Sequence, residues 1–263
     1  MKKILFLLFS GMLFVGLLSI NASATSLVTG LGGAENFGEN QLADNDDGST
    51  SFLNLSSVFS GGMDFYGTNY SGLYLNNNGN VTFVSSMYTY TPYNLIGATG
   101  NPIIAPFFAD VDTRGTGDVY WDLDTTNNIF TATWDAVGYY SYNTSPTNSF
   151  QLRLIDQGNG DFDIEFRYET LGWTVGSASG TAYARAGYNS GNGTDYYELP
   201  QSGSAAAMLG LVGDSNVNDP GRFLFQVRNG AVIPDSPVPE PSTMILFGLA
   251  LLGFAGVSRK KTA

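Results

Sequence analysis

Between Asp161 and Tyr168 the chain alternates without interruption: Phe162, Ile164, Phe166 and Tyr168 are apolar, and Asp161, Asp163, Glu165 and Arg167 are charged. A period of two is that of an extended strand, whose successive side chains leave on opposite faces; a helix would scatter the same residues around its circumference. The pattern predicts one face in a core and the four charged residues in water. Similar short runs recur at Phe52 to Val58, Leu73 to Leu75, Val81 to Val84, Asp118 to Trp121, Ile129 to Trp134 and Ser149 to Ile155. They continue at Ala182 to Tyr188, Tyr196 to Leu199 and Phe223 to Val227, with Gly and Asn between them. Asn76-Asn77-Asn78-Gly79-Asn80 between two apolar runs signals a hairpin, because Asn and Gly tolerate positive φ. The run from Pro102 to Ala109 is almost wholly apolar, as expected of a strand buried on both faces. Only Ser204 to Leu209 suggests a helical turn or two, and no fixed repeat points to a propeller. The expected fold is all-β, an antiparallel β-sandwich with short turns.

Two absences bound the chemistry. With no Cys, no disulfide framework can hold the fold, so 14% aromatic residues must supply the core. With no His, the Ser-His-Asp and Cys-His nucleophile systems and the usual zinc sites are excluded. Between the two terminal segments described next, the charged residues are six Arg against 22 Asp and Glu, with no Lys, a balance of −16. Such a surface repels phosphates, so nucleic acid is not an expected partner, and it attracts divalent cations.

Both ends read as addresses. Lys2 and Lys3 precede an apolar run from Ile4 to Leu18, and Ala22-Ser23-Ala24 supplies the small residues of a signal-peptidase site, so residues 1–24 read as a signal peptide with a helical apolar segment. At the other end, Pro234, Pro237, Pro239 and Pro241 favour an extended backbone over residues 231–241. An apolar run from Met244 to Val257 and then Arg259-Lys260-Lys261 follow. A helix over residues 242–257 is about 24 Å long at 1.5 Å per residue, short against a hydrocarbon core of about 30 Å. The three cations of residues 258–263 resist crossing and stay on the cytoplasmic side. This order of Val238-Pro239-Glu240-Pro241, short transmembrane helix and basic cluster resembles the PEP-CTERM sorting tail of Gram-negative bacteria. The resemblance implies processing near the motif by a membrane protease, the exosortase, by way of an inner-membrane intermediate. An ordinary C-terminal anchor is the plainer alternative.

The middle of the chain carries a second resemblance. Asn101 to Asp112, Gly117-Asp118-Val119-Tyr120, Ala132 to Tyr140 and Asn148 to Leu152 are similar to the nidogen-type extracellular domain. Gly187-Tyr188-Asn189, Tyr197 to Pro200, Ser215-Asn216 and Pro220 to Phe223 continue it in the same order. The expected layout is an irregular segment over residues 25–50 and a nidogen-like domain over residues 51–230. The resemblance implies cell–matrix adhesion without enzymatic activity, and supplies no catalytic residues.

Two groups of residues in the middle of the chain are candidates for function. Asp110, Asp112 and Asp118 flank a Gly-rich turn; Asp110 and Asp112 share a strand face, and hard oxygen ligands in such spacing suit Ca²⁺. The alternative for them is an Asp112–Arg114 ion pair with no metal. Asp44 to Ser49 lacks the Glu that a calcium loop of the EF-hand type needs at its twelfth position, where Leu55 stands, and reads as an Asx-type turn. Tyr139, Tyr140 and Tyr142 sit where a loop is expected and could offer aromatic faces to polysaccharide or to a surface protein. Packing on the sheets is the alternative. The sum of these readings is an exported adhesion or matrix protein of the cell surface, and a carbohydrate-acting or lectin-like matrix protein is the competing class.

Overall fold

The computed structural model describes residues 26–233. The expected signal segment with Ala22 and Ala24, the motif Val238 to Pro241, the helix expected over residues 242–257 and the cluster Arg259 to Lys261 lie outside the described residues. Among the described residues no helix is long and apolar enough to cross a membrane.

In chain order the strands are β1 (Asn40–Leu42), β2 (Leu53–Asn54), β3 (Met63–Phe65), β4 (Thr68–Tyr70), β5 (Gly72–Asn76) and β6 (Asn80–Thr82). They continue as β7 (Ile103–Phe108), β8 (Val111–Asp112), β9 (Asp118–Asp124), β10 (Ile129–Tyr139) and β11 (Asn143–Gly158). After β12 (Asp161–Leu171), β13 (Arg185–Asn189) and β14 (Tyr196–Glu198) comes the helical turn α1 (Ala205–Gly210), then β15 (Arg222–Arg228) and β16 (Ala231–Val232). An eight-stranded sheet runs β1-β9-β10-β11-β12-β15-β16, with β8 paired to β10. A six-stranded sheet runs β14-β13-β7-β6-β5-β2, and β3 and β4 form a small ribbon. The pairs are antiparallel, and both sheets feed one core. The all-β antiparallel sandwich read from the sequence is the fold.

The core forms where inward residues of the two sheets meet. Trp134 stacks on Phe150 with ring centroids 5.0 Å apart, and Phe107 of the opposite sheet lies 5.3 Å from Phe150. Phe162, Ile164, Phe166 and Tyr168 are fully buried, as their alternation predicts. Of their four charged neighbours, Asp161 and Arg167 keep partial exposure, whereas Asp163 and Glu165 are not in water. Glu165 has no exposed surface, because Arg153 of β11, Arg167 of β12 and Arg222 of β15 lie across it at 2.7, 3.0 and 2.5 Å. Asp163 is covered as well, paired with Arg228 at 2.7 Å. Residues 26–28 strap this outer face, where Gln151 exchanges two hydrogen bonds with the Val28 backbone and Arg167 donates to Ser26 O.

Strand β7 is buried on both faces, as its composition demands. Ile104 and Phe107 enter the main core, whereas Ile103, Ala105 and Phe108 pack with Met87 and Leu95 in a second cluster on the other side. The alternation changes phase between Ala105 and Phe107, where two β7 residues oppose one of β13 and form a bulge. Pro106 sits there, giving up no ladder donor, and its carbonyl accepts the Tyr168 hydroxyl at 2.7 Å.

Further segments differ from the sequence reading, among them residues 63–70, where β3 and β4 form a ribbon that was not expected. Phe52 to Val58 is strand only over Leu53–Asn54, before the chain turns so that Val58 and Phe59 donate back to Leu55 O. Within residues 26–50, Asn40–Leu42 forms β1 on the edge of the larger sheet. The sandwich therefore includes residues that precede position 51.

Candidate functional site

The site grows from the turn between β5 and β6. Asn76 pairs with Asn80, leaving Asn77, Asn78 and Gly79 to reverse the chain. Gly79 has φ +74°, and a Cβ there would stand 1.8 Å from Phe107 O, so close approach as well as backbone angle requires glycine. All four asparagines are buried, which makes this turn a hub. The Asn77 amide donates to Asp46 O at 2.6 Å and to Val111 O at 2.7 Å. The Asn78 amide donates to Asp47 Oδ1 at 2.8 Å and to Thr89 O at 3.3 Å, and Asn78 Oδ1 accepts the Val111 N–H at 2.9 Å. The hub thus ties residues 45–47 to the junction of β7 and β8. Asn45 closes an Asx-type turn by accepting the Gly48 N–H at 2.5 Å.

Asp110 occupies that junction. Its side chain is 1% exposed, and Oδ2 lies 3.2 Å from the Ser179 hydroxyl. Oδ1 is buried and has no hydrogen-bond partner, as is Oδ1 of Asp46. Gly176 packs against this carboxylate so closely that a Cβ would come within 2.2 Å of Asp110 Cβ. Oxygens of Asp46, Asp47 and Asp110 all lie within 4.8 Å of one another. Burial, reinforced by the charges of Asp46 and Asp47 and opposed by the Ser179 hydroxyl and the Ala178 backbone N–H, pushes Asp110 up to about 7. Burial and then the charges of Asp112 and Asp47 push Asp46 up to about 6, against the pull of Arg114. Beside the cluster is a cavity of about 250 Å³ lined by Asp47, Tyr90, Tyr140 and Ala178.

The structure does not bring Asp110, Asp112 and Asp118 together. Asp112 is fully buried and committed to Arg114, whose Nε donates to Oδ1 at 2.8 Å and whose terminal nitrogen donates to Oδ2 at 2.7 Å. Burial raises the Asp112 carboxyl, but Arg114 and the Tyr142 and Arg114 backbone N–H groups outweigh it and hold it below the usual range. Asp118 begins β9 opposite Asp135, where Gln41 and the Tyr120 hydroxyl donate to it. The cluster instead draws on Asp46 and Asp47, which the sequence offers only as part of a turn. Their partner Asp110 comes from the end of a distant strand, so no local spacing announces the set.

The three tyrosines lie on the hairpin of β10 and β11, whose tip spans Tyr140 to Tyr142, between the paired Tyr139 and Asn143. Ser141 and Tyr142 have φ of +72° and +58°. This conformation, rare for side-chain-bearing residues, is secured by the Tyr142 N–H on Asp112 Oδ2 at 3.1 Å and by Arg114 over the Tyr142 ring at 4.4 Å. Tyr139 packs on Trp173 at the core, whereas Tyr140 and Tyr142 are exposed. Tyr88 and Tyr90 are also exposed, and Tyr90 shares the cavity wall with Tyr140.

Known proteins share this arrangement of sequence. The chain is 32% identical over 222 residues to alpha-tectorin of Mus musculus, which covers 72% of this chain and 10% of that protein. It is 31% identical over 199 residues to nidogen of Drosophila melanogaster, covering 63% and 14%. It is 29% identical over 195 residues to dendrite extension defective protein 1 of Caenorhabditis elegans, covering 65% and 16%. The chain thus spans between about a tenth and a sixth of the length of these relatives. No solved structure matches it. The PEP-CTERM protein-sorting motif matches residues 237–260, and the nidogen-like domain matches residues 71–131 and 123–229. With most of its sandwich inside that second match, the chain belongs to the nidogen-like domain family.

Proposed function

We propose that the chain is an exported, non-enzymatic adhesion or extracellular-matrix protein, delivered to the surface of a Gram-negative cell through its C-terminal sorting tail. The observation that carries this is the joining, in one chain, of a nidogen-like domain at residues 71–229 and a PEP-CTERM motif at residues 237–260. In this reading signal peptidase cuts after Ala24 and the helix of residues 242–257 holds an inner-membrane intermediate. An exosortase then recognises Val238 to Pro241, while Arg259, Lys260 and Lys261 keep the tail from crossing. Pro239 and Pro241 fix an extended backbone suited to a protease cleft, and Glu240 supplies the charge that is read. Outside the cell, Tyr140 and Tyr142 on the hairpin tip face the polysaccharide or surface protein that the domain holds, with Tyr139 anchoring the tip to the core.

The intact mass of the protein recovered outside the cell tests the processing. Loss of everything up to Ala24 and of the basic tail is expected, and Glu240→Ala should leave the full tail attached and the protein in the membrane fraction. Release of the variant with normal mass would remove the sorting role of Glu240. A parent protein that keeps Arg259 to Lys261 outside the cell would replace the whole scheme with a plain anchor.

A further inference from the structure

A buried carboxylate oxygen without a partner is expensive, since an unsatisfied buried charge costs more than a neutral polar group. Among the described residues three carboxylate oxygens are buried without a hydrogen bond: Asp163 Oδ1 has the Arg228 guanidinium 2.7 Å away, and the other two, Oδ1 of Asp110 and Oδ1 of Asp46, belong to one cluster. Natural proteins settle such an account with a bound water or ion. The surroundings distinguish the two. Asp46, Asp47, Asp110 and the adjacent Asp112 bring four carboxylates against a single guanidinium, Arg114, so the local balance is strongly negative. A water would satisfy the hydrogen bonding but leave the repulsion between oxygens within 4.8 Å of one another. A proton on one carboxyl answers both at acid pH; with the carboxylates ionised, a metal cation does.

We propose that Asp46, Asp47 and Asp110 form a binding site for a divalent cation of the calcium class. The donors are hard oxygens, the set Ca²⁺ prefers; thiols are absent from the chain and so is imidazole, which disfavours zinc and copper. The side chains come from an irregular loop and a strand end rather than from a regular framework. Calcium accepts that irregularity, whereas magnesium requires a near-ideal octahedron. Thr89 and Tyr90 carbonyls border the cluster through Asn78 and Ser179 and add neutral oxygens to the neighbourhood. The cavity beside Asp47, Tyr90, Tyr140 and Ala178 gives the ion its way in. Bound there, the cation ties the loop of Asp46 and Asp47 to the end of β7 and stiffens the floor beneath the tyrosine hairpin. Extracellular calcium modules work at about 10⁻⁴ to 10⁻³ M, the range expected of a site with so few charged ligands.

The test measures the melting temperature of the full-length chain in detergent with EDTA, CaCl₂ or MgCl₂ at one ionic strength. At a hundredfold excess over Kd, calcium stabilises by about 2.7 kcal/mol, a rise of about 5 to 10 °C for a domain of this size. Asp110→Asn should remove the rise while melting in EDTA at or above the parent temperature, because it deletes a buried charge, and Asp118→Asn should keep the rise. Terbium gives a second readout on the parent protein: Tyr90 and Tyr140 line the cavity and should sensitise its luminescence, with CaCl₂ quenching it by displacement. Should Asp110→Asn not fold, Asp47→Asn takes its place in both measurements. An unchanged melting temperature in calcium would overturn the site. So would equal shifts from calcium and magnesium that persist in Asp110→Asn, since that is general screening of an acidic surface.

Discussion

Glu165 shows how much a single residue's environment differs from what its neighbours in sequence suggest. In the alternating strand it reads as a solvent-facing acid, yet it is fully buried under three arginines from three strands. Burial pushes its carboxyl up, but the hydrogen bond from Arg222 and the charges of Arg167, Arg153 and Arg222 outweigh that, and the net shift is downward. Removing one partner of a buried ion pair typically costs about 3 to 5 kcal/mol, because the remaining charges stay desolvated. Glu165→Gln keeps the shape and should lower stability by about 3 kcal/mol in urea unfolding at pH 7; a loss under about 1 kcal/mol would mean that the arginines find water instead. The alternation revealed which side of β12 each residue occupies, but not what covers the outer side. Two of the covering arginines come from β11 and β15, and residues 26–28 strap the face through the third, Arg167 of β12. The same blindness applies to Asp110, whose carboxylate partners lie 63 and 64 positions earlier. Asp112 is the contrasting case: Arg114 stands two residues on, and that local ion pair, weighed from the sequence, is what forms.

Among the elements, legibility followed locality where the arms were apolar. The contiguous hairpin of β5 with β6 was readable from its apolar arms and Asn-Gly punctuation, whereas the equally local β3–β4 ribbon, with few apolar residues in its arms, was not. The apolar run of β7 announced burial on two faces, but its bulge and change of phase depend on β13, some eighty residues away in sequence. The arms of β10 and β11 run further than their apolar stretches, to Tyr139 and from Asn143, because Asp112 and Arg114 grip the tip from another strand. That grip presents Tyr140 and Tyr142 to solvent on a supported turn, and rigid aromatic side chains lose little entropy when a ligand packs on them. Replacing both with Ser should weaken retention of the protein on exopolysaccharide from its own producing cells at least tenfold, with the melting temperature changed by less than about 3 °C. Full retention by a folded double variant would move the contact surface elsewhere.

At the scale of the whole molecule, two short sheets share a core and end in edge strands of two or three residues, which offer little to a second chain. The sequence made the class of fold legible through period and punctuation, and the lack of Cys and His narrowed its chemistry; strand order was not legible, since pairings such as β1 with β9 join distant segments. What the fold does with its charge follows from opposing carboxyl shifts. Burial and then the charge of Glu39 raise Asp122 to about 6 from an ordinary 3.8, and Asp44 and Asp135 are also raised, by burial first. These groups bind protons more tightly when folded, so they disfavour the fold at neutral pH, and stability rises as pH falls through about 6. Glu165, Asp112 and Asp124 are shifted the other way: their contribution is complete above the ordinary values of 4.5 and 3.8 and is lost as pH falls through the depressed ones. With EDTA present throughout, to hold metal out of the acidic cluster, the melting temperature should therefore peak between about pH 4.5 and 6 and be lower at pH 8. Asp122→Asn should flatten the neutral limb and leave the acidic limb in place, because it removes one raised carboxyl and none of the arginine-held ones. A melting temperature that climbs steadily from pH 5 to pH 8 in the parent would show that the ion pairs outweigh the desolvated acids across the whole range, and that carboxylate repulsion does not set the working pH of this fold.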